Sequence, residues 1–136
     1  MLFRSPNDAV IGGLAWYSFQ SPANDAFVDG FRKTYNKPPQ AAAYLQFVSL
    51  QGLRAGVEKA NSTDSAAVIK ALEGLTFDSV LGPVSIRAFD HQGTTPHYLG
   101  KAGWDAQRNL GVLTDIKRIA TDSYLLSEAE IRKLRP

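Results

Sequence analysis

The feature that most constrains this chain is a change of apolar period near Gly82-Pro83. Before it, large apolar residues recur every three to four positions. After it, Val84, Ile86 and Ala88 alternate with Ser85 and Arg87. Spacing near 3.6 buries one stripe of a helix, and spacing of two buries one face of a strand. A chain that holds both patterns in separate halves folds as a mixed α/β unit, neither all-helical nor all-β.

Upstream of the switch, three helices are expected. Ser21 can cap the first, and Pro22 suits its opening position, where a missing N–H costs nothing. Phe27, Phe31 and Tyr35, with Val28 beside them, form its stripe, and Asn36-Lys37-Pro38-Pro39 stops it. The second helix runs from Ala41 to Ala60. Tyr44, Phe47, Val48, Leu50, Leu53, Ala55 and Val57 surround it, so it is expected to be covered on more than one side. Phe27, Phe31, Phe47 and Phe77 are assigned to the core. Asn61-Ser62-Thr63-Asp64 reads as a turn and cap before a short helix carrying Val68, Ile69, Leu72 and Leu75, with Gly74 at its stop. The same triplet matches a glycosylation acceptor, a motif common by chance.

Four strands are expected: Val10 to Tyr17, interrupted by Gly12 and Gly13, then Val84 to Ala88, His97 to Trp104 and Val112 to Ile119. Asp90-His91-Gln92-Gly93 is a turn. Ser127-Glu128-Ala129-Glu130 has the capping-box pattern that opens a last short helix, with Arg132, Lys133 and Arg135 toward its C-terminal end.

Composition excludes several functions. With 15 basic and 13 acidic side chains the net charge is +2, and no basic stripe interleaved with aromatics exists, so no nucleic-acid partner is expected. The absence of cysteine removes disulfides, thiolate catalysis and Cys-ligated zinc. No stretch approaches the roughly 18 apolar residues of a spanning helix. The first eight residues lack the basic and apolar regions of a signal peptide, so export would rely on a signal outside this sequence. Asp90, His91 and His97 are the one grouping that resembles a metal or acid–base site. The histidines lie six apart, not at the i, i+4 spacing of a helical pair, and no third ligand has a matching spacing, so a structural turn is the better reading. No nucleophile elbow, Walker loop or dinucleotide fingerprint is present, and neither enzyme activity nor a cofactor is expected.

The order of these blocks resembles the C-terminal portion of type I periplasmic solute-binding proteins, the family of branched-chain amino-acid binding proteins of ABC importers. The resemblance rests on Asn24 to Val28 with Phe31, Tyr35 and Pro38-Pro39, on Tyr44 to Ala60, and on Ser65 to Leu75. It continues through Gly82 to Ala88 with Asp90-His91-Gln92, Tyr98 to Lys101, and Ser127 to Arg135. It implies a partial fold of a two-lobed protein: residues 1–83 from a three-layer α/β first lobe, and residues 84–136 forming crossover strands and a tail. It also implies closure of two lobes around a small solute, an ABC permease as membrane partner, and a periplasmic or extracytoplasmic location. The ligand would be a branched-chain amino acid or a related small amide or aromatic carboxylate. A ligand-sensing receptor or regulatory domain on the same fold is the alternative.

Three aromatic residues are the candidate ligand contacts. By the resemblance, Val10 to Tyr17 lies at a hinge crossing between the lobes, so Trp16 and Tyr17 at its end would line a cleft rim, unless they pack as core at the strand end. Tyr44 opens the long helix and points either to the cleft or into the lobe core. With much of a two-lobed protein lacking, the chain alone is expected to bind amino acids weakly and to associate as a homodimer through uncovered helix faces and strand edges.

Overall fold

The computed structural model describes residues 9–12, 21–107 and 110–134. Helices and strands follow in the expected mixed order. β1 (Val10–Gly12) precedes α1 (Pro22–Tyr35), α2 (Ala41–Ala60) and α3 (Ser65–Leu72). Then come β2 (Thr76–Ser79), β3 (Gly82–Ser85), β4 (His97–Asp105), β5 (Leu110–Ile119) and α4 (Glu128–Leu134). Of the strand expected from Val10 to Tyr17, the part beyond Gly12 lies outside the described residues. The chain divides into two compact units, one drawn from Met1–Tyr44 and His97–Ile119, the other from Leu45–Pro96 and Ala120–Pro136.

In the first unit, α1 is closed at both ends by local chemistry. The Ser21 hydroxyl accepts the Asn24 N–H at 3.2 Å, and Pro22 takes the opening position. At the other end Asn36 turns left-handed, at φ 53°, and its N–H returns to the Arg32 carbonyl. Asp25 in the first turn and Arg32 and Lys33 in the last complement the helix dipole. The buried face differs from the expected stripe. Asn24 and Val28 are buried, Phe27 and Phe31 are half-buried, and Tyr35 is 59% exposed. The aromatics instead form a ladder along the helix flank, with ring centroids 6.0 Å apart for Phe27–Phe31 and 4.5 Å for Phe31–Tyr35.

The same unit holds a three-stranded antiparallel sheet in the order β1-β4-β5. Val10 pairs with Lys101 and Gly12 with Leu99, and β4 runs against β5 from His97–Ile119 to Asp105–Leu110. The register slips between Leu99 and Lys101, where Asp115 adopts φ 49°. Gly100 sits in this bulge because a Cβ would lie 2.8 Å from the Thr114 carbonyl oxygen. Lys101 Nζ reaches Asp115 Oδ2 across it at 2.9 Å, which holds the Asp115 carboxyl below its ordinary range.

In the second unit, α2 turns a row of one valine and two glycines inward. Val48, Gly52 and Gly56 are buried at spacing four. A Cβ on Gly52 would lie 2.9 Å from the Phe77 ring, and one on Gly56 would lie 2.6 Å from Leu72. The large residues Leu45, Phe47, Leu50 and Leu53 are exposed. This corrects the assignment of Phe47 to the core and the expectation that α2 is covered on several sides. Helix α3 is capped as expected, Asp64 accepting the Ala67 N–H at 3.0 Å, but Ile69 is exposed while Val68 and Ala71 are buried. Gly74, at φ 69°, ends it.

β2 and β3 form an antiparallel hairpin, Thr76 opposite Ser85 and Ser79 opposite Gly82. Its tip, Val80-Leu81, is buried. The Ser79 hydroxyl closes the tip by donating to the Gly82 carbonyl and accepting the Leu81 N–H, while Val80 N–H reaches Gln51 Oε1 on α2. The expected strand through Ala88 is shorter than read. β3 stops at Ser85, and Ile86 makes an isolated bridge to Gly93.

Candidate functional site

Of the three candidate contact residues, Trp16 and Tyr17 lie outside the described residues. Tyr44 is described, and it is fully buried. Pro39, also fully buried, precedes α2 and directs the chain so that the first turn of the helix meets α1. There the Tyr44 hydroxyl donates to the Asn24 side-chain oxygen. The Phe27 ring stands edge-on to it, 4.9 Å between centroids. Burial, with the Asp25 charge adding to it, pushes the Tyr44 phenol well above its ordinary range. A phenol so placed stays neutral and serves as a fixed hydrogen-bonding post, unsuited to proton transfer at neutral pH. Asn24, buried despite its polar side chain, was read from the sequence only as part of a block. The signal available was its position just inside a Ser-Pro helix start, one turn before Val28.

A second polar constellation lies in the other unit and was not anticipated. Arg87 and Asp90, three residues apart on the loop after β3, form a forked pair with Nε to Oδ1 at 3.0 Å and Nη2 to Oδ2. The guanidinium sits 4.5 Å over the Phe89 ring and donates from Nη1 to the Leu126 carbonyl at 2.8 Å. Asp90 also accepts the Gln92 N–H, which shapes the turn. The His91 ring stands 3.7 Å from the Glu73 carboxylate, and His97 opens β4 in the first unit. Among the described residues no group of three His, Asp or Glu side chains could hold a metal, and no helix is long and apolar enough to cross a membrane.

The described geometry holds a buried, hydrogen-bonded tyrosine in one unit and a forked ion pair in the other. A crystal structure of an ABC-type branched-chain amino acid transporter from Rhodopseudomonas palustris CGA009 superposes with a TM-score of 0.78 at 25% identity, over 89% of this chain and 33% of that one. A solute-binding protein of an ABC transporter from Rhodopseudomonas palustris BisB5, solved with 3,4-dihydroxybenzoic acid, shares the fold at a TM-score of 0.75 and 16% identity, over 91% and 33%. The architecture is that of part of a periplasmic-binding-protein fold.

The periplasmic binding protein family matches residues 6–108, and the chain belongs to it. The Leu/Ile/Val/Thr-binding protein of Salmonella typhimurium is 34% identical over 99 residues, 72% of this chain. The chain spans about a quarter of the length of that relative (25%).

Proposed function

We propose that this chain is part of an extracytoplasmic solute-binding protein that captures a branched-chain amino acid, or a related small amide or aromatic carboxylate, and presents it to an ABC permease. The observation that carries this reading is the 34% identity to a Leu/Ile/Val/Thr-binding protein over most of the chain. The site follows from the same reading. Trp16 and Tyr17 cover the apolar body of the solute at the cleft rim. Tyr44, buried and held by Asn24, fixes the first turn of α2 against α1 and so supports that side from within. Binding works by population shift, because a solute that touches both lobes favours their closed arrangement. The reading needs no cofactor and no catalytic step.

Affinity in such a protein comes from both sides of the cleft, so one partial side offers few anchors. A chimera tests this directly. The matched 99-residue segment of the Salmonella protein is replaced by its counterpart here, and calorimetry is run with leucine, valine and 3,4-dihydroxybenzoate. A folded chimera is expected to bind one of these at micromolar concentration, while the 136-residue chain alone binds none of them comparably. A cooperatively folded chimera that ignores all three refutes the proposed ligand class.

A further inference from the structure

The segment 120–134 has an unusual attachment. Its helix α4 buries no residue. Within it lie the Ser127 and Glu130 capping box and the pair of Arg132 with Glu128. Hydrogen bonds reach from it to the body of the second unit at Leu126 and Tyr124. The Leu126 carbonyl accepts from Arg87 Nη1 at 2.8 Å, and the Tyr124 hydroxyl donates to the Thr95 carbonyl at 2.7 Å. Between segment and body runs an open groove of about 360 Å³, bordered by Arg87 and Thr94 on one side and Thr121, Leu125, Leu126 and Glu130 on the other. The segment bridges this space without filling it, so it lacks the close packing that would fuse it to the body.

Arg87 is built as a latch. Its side chain is 18% exposed and that of Asp90 is 10%. Two of its nitrogens are fixed by the Asp90 carboxylate and its face rests on Phe89, which leaves Nη1 aimed at Leu126. A guanidinium already oriented loses little freedom on binding a carbonyl, so the contact is strong for a single bond yet confined to one point.

We propose that segment 120–134 is a releasable strap, latched to the β2–β3 hairpin unit by Arg87, which detaches without unfolding the helices. Asp90 is a positioning residue that acts through Arg87. Release opens the groove and turns the Arg87–Asp90 pair toward solvent. Regions held by few buried contacts open locally at free energies below that of global unfolding.

Hydrogen exchange read by mass spectrometry on the whole chain tests the proposal, because it measures opening segment by segment. In the wild type, amides of α4 are expected to exchange far faster than those of α2. Arg87→Lys keeps the charge but loses the fork, and should speed exchange in 120–134 by about tenfold with α2 unchanged. Tyr124→Phe, which removes the hydroxyl bond to Thr95, should act in the same place and direction, and Asp90→Asn should give a smaller increase. Equal exchange rates for α4 and α2 in the wild type overturn the strap. So do unchanged rates in Arg87→Lys, or a loss of protection throughout the chain in both Arg87→Lys and Tyr124→Phe.

Discussion

The two sides of α2 invert the usual expectation for an apolar helix. The side that packs carries Val48, Gly52 and Gly56, while the side that faces outward carries Leu50, 62% exposed, and Leu53, 50% exposed. Apolar area alone ranks these residues the other way, since a leucine buries far more carbon than a glycine. What decides is proximity. Phe77 and Leu72 come so close to the helix axis that only a missing side chain leaves room. Their rings and methyls supply the buried area that α2 itself does not. The lesson is that an apolar helix shows how much surface can be buried, and its small residues show where.

The sharpest way to break that comparison is to fill the small side. Gly56→Val would place carbon within 2.6 Å of the nearest Leu72 methyl and 2.9 Å of its branch point. Overpacking of this kind should destabilise the chain by about 3 kcal/mol, outweighing the gain in helix propensity over glycine. Urea unfolding followed by circular dichroism measures it. A variant as stable as the wild type would mean that Leu72 swings aside freely and that the close approach is incidental.

A smaller effect is expected at the start of the same helix. Tyr44→Phe keeps the ring against Phe27 but removes the buried bond to Asn24. The loss should be about 1–3 kcal/mol, the range for breaking a buried hydrogen bond and leaving its partner in place. Tyr44→Leu should cost more, because it also gives up the edge-on ring contact. If Phe is neutral while Leu is costly, the hydroxyl is dispensable and the ring alone anchors α1.

The same phenol predicts a pH dependence. Tyr44 and Tyr98 are both raised above the ordinary tyrosine range, in each case chiefly by burial; for Tyr98 the Arg118 charge opposes the rise. In the folded chain these phenols stay protonated, whereas in the unfolded chain they ionise near pH 10. Below about pH 10 both states hold the proton and stability is flat. Above it the unfolded state sheds protons first, so stability falls as pH rises. Unfolding midpoints measured between neutral pH and pH 11 should drop only at the alkaline end, and Tyr44→Phe should flatten that drop. An unchanged slope in the variant would assign the alkaline loss elsewhere.

Most of the helical half was legible because its signals are local. Ser21-Pro22, the Asp64 cap, Asn36 before two prolines and the Ser127–Glu130 box each act within three or four residues, and each appears where the pattern placed it. Strand β2 was missed because its hairpin tip is Val80-Leu81, which carries none of the turn chemistry that marks a two-residue loop. The tip is held instead by Ser79 and by Gln51, 29 residues away, a contact no local pattern contains. Arg87 was hidden for a related reason. Alternation placed it on the polar face of a strand, but the strand ends at Ser85 and the side chain turns to Asp90 and Leu126. At the candidate site, Tyr44 was visible as an aromatic at a helix start. Its burial depends on Asn24, 20 residues earlier, and that pairing is tertiary.

The smallest expected effect lies on the outward side of α2, and it is the one that most sharpens the contrast. Leu50→Ser and Leu53→Ser each remove as many side-chain carbons as Gly56→Val adds, so area alone would rank the three changes alike. Their side chains already meet solvent in this chain, 62% and 50% exposed. Each substitution should therefore shift stability by no more than about 0.5 kcal/mol, the range for surface changes that break no named contact. Part of even that small loss would be helix propensity, since serine is a poorer helix former than leucine. Urea titration at several protein concentrations separates the remaining possibilities. A small shift independent of concentration supports an uncovered outward face. A loss of 2 kcal/mol or more that grows as the chain is concentrated, by about the worth of one buried leucine side chain, would show that a second copy covers these leucines in solution. A loss of that size at every concentration would show the face packed within the chain, and would end the contrast between the two sides.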